Sequence, residues 1–190
     1  MGTQTGQERV FAALQIKGEA APTLAAWSRQ AQERYSFRRW TYADDLHITL
    51  QFFGDVDVDR LPQLSAALQQ AAAVVPPFQL QLGGAGVFGN PSAPRVLWIE
   101  PQGETDSLHH LQAEVQQMCI PLGFTPEQRP YHPHLTVARK YNGSAPFAEL
   151  TPEDYPSPDS WLVDEMVLYR TCLGQQPMYE IAGTFPLSGR

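Results

Sequence analysis

Residues 46–54 read Leu-His-Ile-Thr-Leu-Gln-Phe-Phe-Gly, and residues 133–139 read Pro-His-Leu-Thr-Val-Ala-Arg. Successive side chains of a β-strand point to opposite faces, so residues two apart share a face, ~6.6 Å apart along it. His47 and Thr49 therefore stand on one face, with Ile48 and Leu50 on the other. His134 and Thr136 stand in the same way against Leu135 and Val137. Each strand offers one imidazole and one hydroxyl on a polar face and anchors itself through its apolar neighbours.

The pattern extends outward from these two strands. Before the first, the alternation of Val10, Ala12, Leu14 and Ile16 predicts a strand, and Leu24, Trp27, Ala31 and Tyr35 predict an amphipathic helix. The strand over 46–52 is expected to close at Gly54. Leu61, Leu64, Leu68, Ala71 and Val75 then form a helix stopped by Pro76 and Pro77. A short strand is expected over 78–82, followed by a loop marked by Gly83, Gly84, Gly86 and Gly89. Residues 95–100 are a strand, Leu108 to Leu122 a helix capped by Thr105 or Asp106, and 134–138 a strand again. Residues 144–159, rich in proline, are a surface loop with at most a helical turn, and 161–171 and 178–187 a closing antiparallel pair turning through Gly174. Strand–helix–strand thus occurs twice. The interval from Val10 to His47 matches that from Val96 to His134 within one residue, which points to two equivalent lobes.

At 190 residues, with 43% hydrophobic and 17% charged residues, the chain suits one compact domain over 1–190. The polar N-terminus carries no secretory signal, Gly6 stands where myristoylation wants Ser or Thr, and no apolar run spans a membrane. Cys119 and Cys172 have no metal or redox spacing and are expected as reduced thiols, which fits a soluble cytoplasmic protein. A net charge of −7 disfavours binding to a long duplex, where affinity comes from neutralising many phosphates. A small or terminal anion suits this balance, and a monomer is expected.

Two imidazoles and two hydroxyls converging in one cleft suit phosphate-ester hydrolysis. One histidine takes a proton from water while the other gives one to the leaving oxygen, and the hydroxyls meet the charge that builds on the non-bridging oxygens. A single His-x-Thr says little, because threonine favours strands and one histidine there is often a satisfied polar residue; two copies at equivalent places reverse that reading. A metal hydrolase is the rival, with His132 and His134 as a His-x-His pair and His109, His110, Asp44, Asp45 and His47 as further donors. Against it, His109 and His110 flank the apolar stripe of a helix, and no HExxH or DxH pairing completes a site.

The paired motifs resemble those of the 2H phosphoesterase superfamily, and within it the RNA 2′,3′-cyclic phosphodiesterases, or 2′-5′ RNA ligases. That family is named for paired His-x-Thr-x motifs ending in an apolar residue, as Leu50 and Val137 do here. Residues 46–54 and 133–139 are similar to its two signatures with Val137 for leucine, and residues 9–13, Arg-Val-Phe-Ala-Ala, resemble its first strand. The resemblance implies an α+β bilobal fold with two antiparallel sheets around a central cleft, helices outside. It implies metal-independent, cofactor-free hydrolysis of a terminal 2′,3′-cyclic phosphate on RNA to a 2′-phosphate. His47 is then the proton donor to the leaving 3′ oxygen, His134 the proton acceptor that activates water, and Thr49 and Thr136 hold the phosphate. Phe11, Tyr131, His132 and Arg139 are candidates for substrate binding, although strand alternation alone does not aim Arg139 at the cleft. A 2′-5′ oligonucleotide or another small cyclic phosphodiester as substrate, and a non-catalytic nucleotide-binding module on the same fold, are the alternatives.

Overall fold

Among the described residues, alternating apolar side chains build nine strands, and three helices cover them with their apolar stripes. The computed structural model describes residues 6–190, so the part of the N-terminal readings that falls on residues 1–5 lies outside the described residues. In chain order the elements are β1 (Gln7–Gln15), α1 (Ala20–Arg34), β2 (Phe37–Trp40), β3 (His47–Asp57), α2 (Leu61–Ala73), β4 (Phe78–Asn90), β5 (Ala93–Gly103), α3 (Thr105–Cys119), β6 (Leu135–Tyr141), β7 (Ser160–Val163), β8 (Glu165–Thr171) and β9 (Tyr179–Pro186).

The strands lie in the order β7-β4-β5-β6-β3-β1-β8-β9, with β2 on β6. Outward from the centre each half runs through the motif strand (β3 or β6), then the strand that leads into the lobe's helix (β1 or β5), then a pair completed from elsewhere in the chain. This mirror in strand order is the expected two-fold repeat. The two half-sheets are joined where β3 and β6 share one register pair, Ile48↔Leu135, so the sheet is continuous. Beneath it one apolar core runs through both halves, from Leu14, Leu24 and Ile48 to Leu97, Leu111 and Leu135. α2 and α3 pack on each other, α2 reaches β8 and β9, and α1 lies against β4.

Several boundaries differ from the sequence expectation, for physical reasons. β4 runs on through the glycines assigned to a loop, because they accommodate close neighbours: a Cβ on Gly83 would sit 2.7 Å from the Glu100 carbonyl oxygen, and one on Gly86 would run into Cζ2 and Cη2 of Trp98. β3 does not stop at Gly54 but continues to Asp57, absorbing two register shifts against β1 at Phe53 and Leu50. The stretch 161–171 breaks at Asp164: β7 joins β4 in one half, and β8 joins β1 and β9 in the other. α3 starts at Thr105 with Glu104 at the cap position; the Glu104 carboxylate instead accepts the Gln79 backbone N–H at 2.6 Å. The loop over 144–159 holds one helical turn, Pro152–Asp154, closed by a reciprocal Thr151–Asp154 capping box. Among the described residues no helix is long and apolar enough to cross a membrane.

Gly86→Val should test the close approach at Trp98. The added side chain must displace the indole, and overpacking of this kind costs about 1–3 kcal/mol. Chemical denaturation should show that loss, whereas an unchanged midpoint would mean that the indole moves aside freely.

Candidate active site

The join between the halves builds the site. With Ile48 opposite Leu135 in an antiparallel pair, His47 falls opposite Thr136 and Thr49 opposite His134. All four side chains leave the sheet on the face away from the core, where Ile48 and Leu135 are buried. The structure thus brings together the four residues that the paired motifs single out.

Both rings are held by the same device. His47 Nδ1 lies 2.6 Å from the carbonyl oxygen of Asp45, and His134 Nδ1 lies 2.7 Å from that of His132, each two residues back. A carbonyl only accepts, so each Nδ1 carries the hydrogen, and Nε2 is the nitrogen left for chemistry. The Thr49 hydroxyl is 3.1 Å from His47 Nε2. The backbone at the threonines is also pinned by hydroxyls: Tyr131 donates to the Thr49 carbonyl at 2.8 Å, and Thr41 to that of Thr136 at 2.9 Å.

Around each imidazole lies an aromatic wall. Phe11, Tyr169 and Tyr179 surround His47 at ring distances of 5.0, 5.8 and 5.2 Å. Phe88 lies 4.9 Å from His134, edge to face, and Trp98 and Phe88 clasp His132. Burial among these rings pushes the His47 pKa down from 6.5 to about 4; its bond to the Asp45 carbonyl and the Asp45 charge oppose this, and His134 and Arg139 add to it. His134 is lowered too, chiefly by burial, with the charges of His132 and Arg139 acting in the same sense. The two imidazoles are therefore close enough to feel one another, and both are neutral near pH 7 in the free protein.

The remaining sequence candidates fall out differently. Phe11 is 3% exposed and forms the floor under His47, while Phe52 beside it, 5.4 Å away, is 66% exposed and open to a ligand. Tyr131 spends its hydroxyl on Thr49, and burial raises its pKa. Arg139 reaches the face of His134 through a bulge: Leu97 pairs with Ala138 but Trp98 with Thr136, leaving Val137 as an extra residue that shifts the alternation. The donors of the metal reading are spread out. Asp45 is buried and its carboxylate accepts the backbone N–H groups of Met178 and Tyr179, His109 bonds the Thr105 carbonyl, and His110 faces Glu114. Among the described residues no three His, Cys, Asp or Glu side chains gather around one point. Thr41, Tyr169, Tyr179, Phe88 and Trp98 were not foreseen as parts of the site, and Asp45 was named only as a donor of the metal reading. Asp45 had a signal in its place two residues before His47, but its partners come from β9 and the turn before it.

This mirrored sheet, with a His-x-Thr strand on each side of its centre, is the 2H phosphoesterase fold. The sequence model of the 2′-5′ RNA ligase superfamily matches residues 19–174, and the chain belongs to that superfamily. It is similar to an RNA 2′,3′-cyclic phosphodiesterase of Bacillus subtilis, 35% identical over 80% of this chain and 82% of the relative. It is also similar to one of Geobacillus stearothermophilus, 39% identical over 94% of this chain; the chain spans 57% of that relative's length. Among solved structures it resembles E. coli LigT in its apo form, with a TM-score of 0.78 and 25% identity over 97% of this chain and 99% of that one. LigT complexed with 3′-AMP is similar at a TM-score of 0.77 and 26% identity, over 96% and 99% of the two chains.

Proposed function

We propose that this chain is a phosphodiesterase that opens a 2′,3′-cyclic phosphate at the end of an RNA to leave a 2′-phosphate, working as one bilobal domain. The observation that carries the reading is the matched pair of imidazoles, each locked through Nδ1 on a backbone carbonyl and each beside a threonine. Similarity to two RNA 2′,3′-cyclic phosphodiesterases and to a protein solved with 3′-AMP supports the substrate class. The free thiols of Cys119 and Cys172 support a reducing, cytoplasmic setting.

In this reading Thr49 and Thr136 donate to the non-bridging oxygens, and water attacks phosphorus opposite the 3′ oxygen. One imidazole takes the proton of the water while the other delivers one to the departing 3′ oxygen, so the site returns to its starting charge once the two exchange a proton with solvent. His47 is the donor and His134 the acceptor, with the bound phosphate anion restoring the proton that burial strips from His47. A reversed assignment is favoured by one observation, the low pKa of His47 in the free protein.

Turnover of a 2′,3′-cyclic dinucleotide should persist in excess EDTA, because the reading uses imidazoles and hydroxyls alone. Activity that vanishes with chelator and returns with zinc or manganese would replace this mechanism with a metal-assisted one.

A further inference from the structure

Beyond Thr136 the half that carries His134 presents a second row on the same face. The bulge at Val137 puts both Val137 and Ala138 into the core at 0% exposure, so Arg139 turns back to the side of Thr136. β2 extends this row sideways, with Arg39 directly opposite Arg139 and Trp40 opposite Ala138. Residues directly opposite on neighbouring strands point to the same face, so Arg39 stands on the face of Arg139. Both arginines are exposed.

Like charges directly opposite each other on neighbouring strands repel. Among the described residues neither Arg39 nor Arg139 forms an ion pair, although the chain carries 20 acidic residues against 13 basic ones. Next to the pair, Lys140 holds φ 62°, a left-handed conformation unfavourable for a residue with a Cβ, which turns β6 just after Arg139. What sets the pair apart is the register that holds two guanidiniums side by side, a local positive site that an anion would neutralise. Arg139 is on the motif strand itself, three residues along β6 from Thr136, with Arg39 beside it on β2.

We propose that Arg39, side by side with Arg139, forms a second phosphate subsite that takes the phosphodiester one nucleotide upstream of the terminal phosphate. The preferred substrate is then an oligoribonucleotide of two or more residues, not a cyclic mononucleotide. The distances fit: Thr136 and Arg139 are three residues apart, roughly 10 Å at ~3.3 Å per residue, and β2 lies ~4.8 Å to the side. A planar guanidinium on a long stem spans that gap and matches the two free oxygens of a phosphodiester. This subsite rests on the reading of the histidine site as one that binds a terminal phosphate.

The test compares uridylyl-uridine 2′,3′-cyclic phosphate with uridine 2′,3′-cyclic phosphate as substrates. Wild-type protein should favour the dinucleotide in kcat/KM by about 10-fold, the scale of one charge-assisted contact, and Arg39→Gln should abolish that preference. Calorimetric binding of the dinucleotide with a terminal 3′-phosphate, from 50 to 200 mM salt, gives a readout independent of turnover. Its slope of log Kd against log salt should fall by ~0.7 in Arg39→Gln, one phosphate's share for a single strand. Arg38→Gln, which removes a neighbouring exposed charge, should leave preference and slope in place, and Arg39→Gln should melt no lower than wild type because a repulsion is removed. Equal effects of the two variants would mean a diffuse field and overturn the subsite, as would an unchanged preference and slope in Arg39→Gln. Wild-type protein that turns over neither substrate would instead remove the phosphodiesterase reading, with the salt slope still deciding the role of Arg39.

Discussion

Alanine at either His47 or His134 is expected to lower kcat/KM for a 2′,3′-cyclic phosphate by about 10²–10⁴-fold, the range for a positioned proton-transfer group. The two losses should not multiply in the double variant, because both rings act on one transition state. Thr49→Ala or Thr136→Ala should cost less, about 10²-fold, as the loss of one donor to a charged oxygen does. The division of labour is read from the leaving group. A nitrophenyl phosphodiester departs with little need of a proton, so the variant that lacks the donor recovers on it and the variant that lacks the acceptor does not. Recovery of His47→Ala assigns His47 as donor, and recovery of His134→Ala assigns the reverse. Full activity in either alanine variant would sink the two-histidine mechanism.

The titration of His47 is the second large effect. By NMR the ring should titrate near pH 4 in the free protein. To hold its proton at pH 7 that midpoint must rise by ~3 units when inorganic phosphate or 3′-AMP binds, a coupling of about 4 kcal/mol. A midpoint that stays near 4 in the saturated complex would give the donor role to His134. The same depression acts on stability. His47 has a lower pKa folded, about 4, than its unfolded value of 6.5, so the unfolded chain takes up the proton first. Its contribution is complete above pH 6.5 and is lost as the pH falls toward 4, up to ~3 kcal/mol. Urea unfolding should therefore show a shallower pH dependence in His47→Gln than in wild type across that window.

The two motif strands were legible because His47–Leu50 and Leu135–Val137 alternate strictly between a polar and a buried face, and the repeat was legible in their spacing. What escaped the sequence was non-local. β2 is four residues long, too short for a period to show, and it exists because β6 offers it an edge. The part of β4 beyond Leu82 hid behind its glycines, whose reason is the indole of Trp98 and the backbone of β5. Arg139 pointed the wrong way by strict alternation, since nothing in the local order of residues announces a bulge at Val137. Asp45 read only as a donor for the metal alternative, because its hydrogen-bond partners, Met178 and Tyr179, lie far along the chain.

The threading of the sheet sets a timetable for protein synthesis. The half that contains His134 is made of β2 and β4–β7, all encoded between Phe37 and Val163, and it can close while later codons are still being read. The half that contains His47 places β1 between β3 and β8, so one edge of an early strand stays bare until residues 165–171 leave the ribosome. Contacts across so many residues form slowly, and an unpaired edge attracts other chains meanwhile. The β1 edge that waits carries Phe11 and Ala13, covered in the finished molecule, and Tyr169 and Tyr179 join Phe11 around His47 only once β8 and β9 have been made.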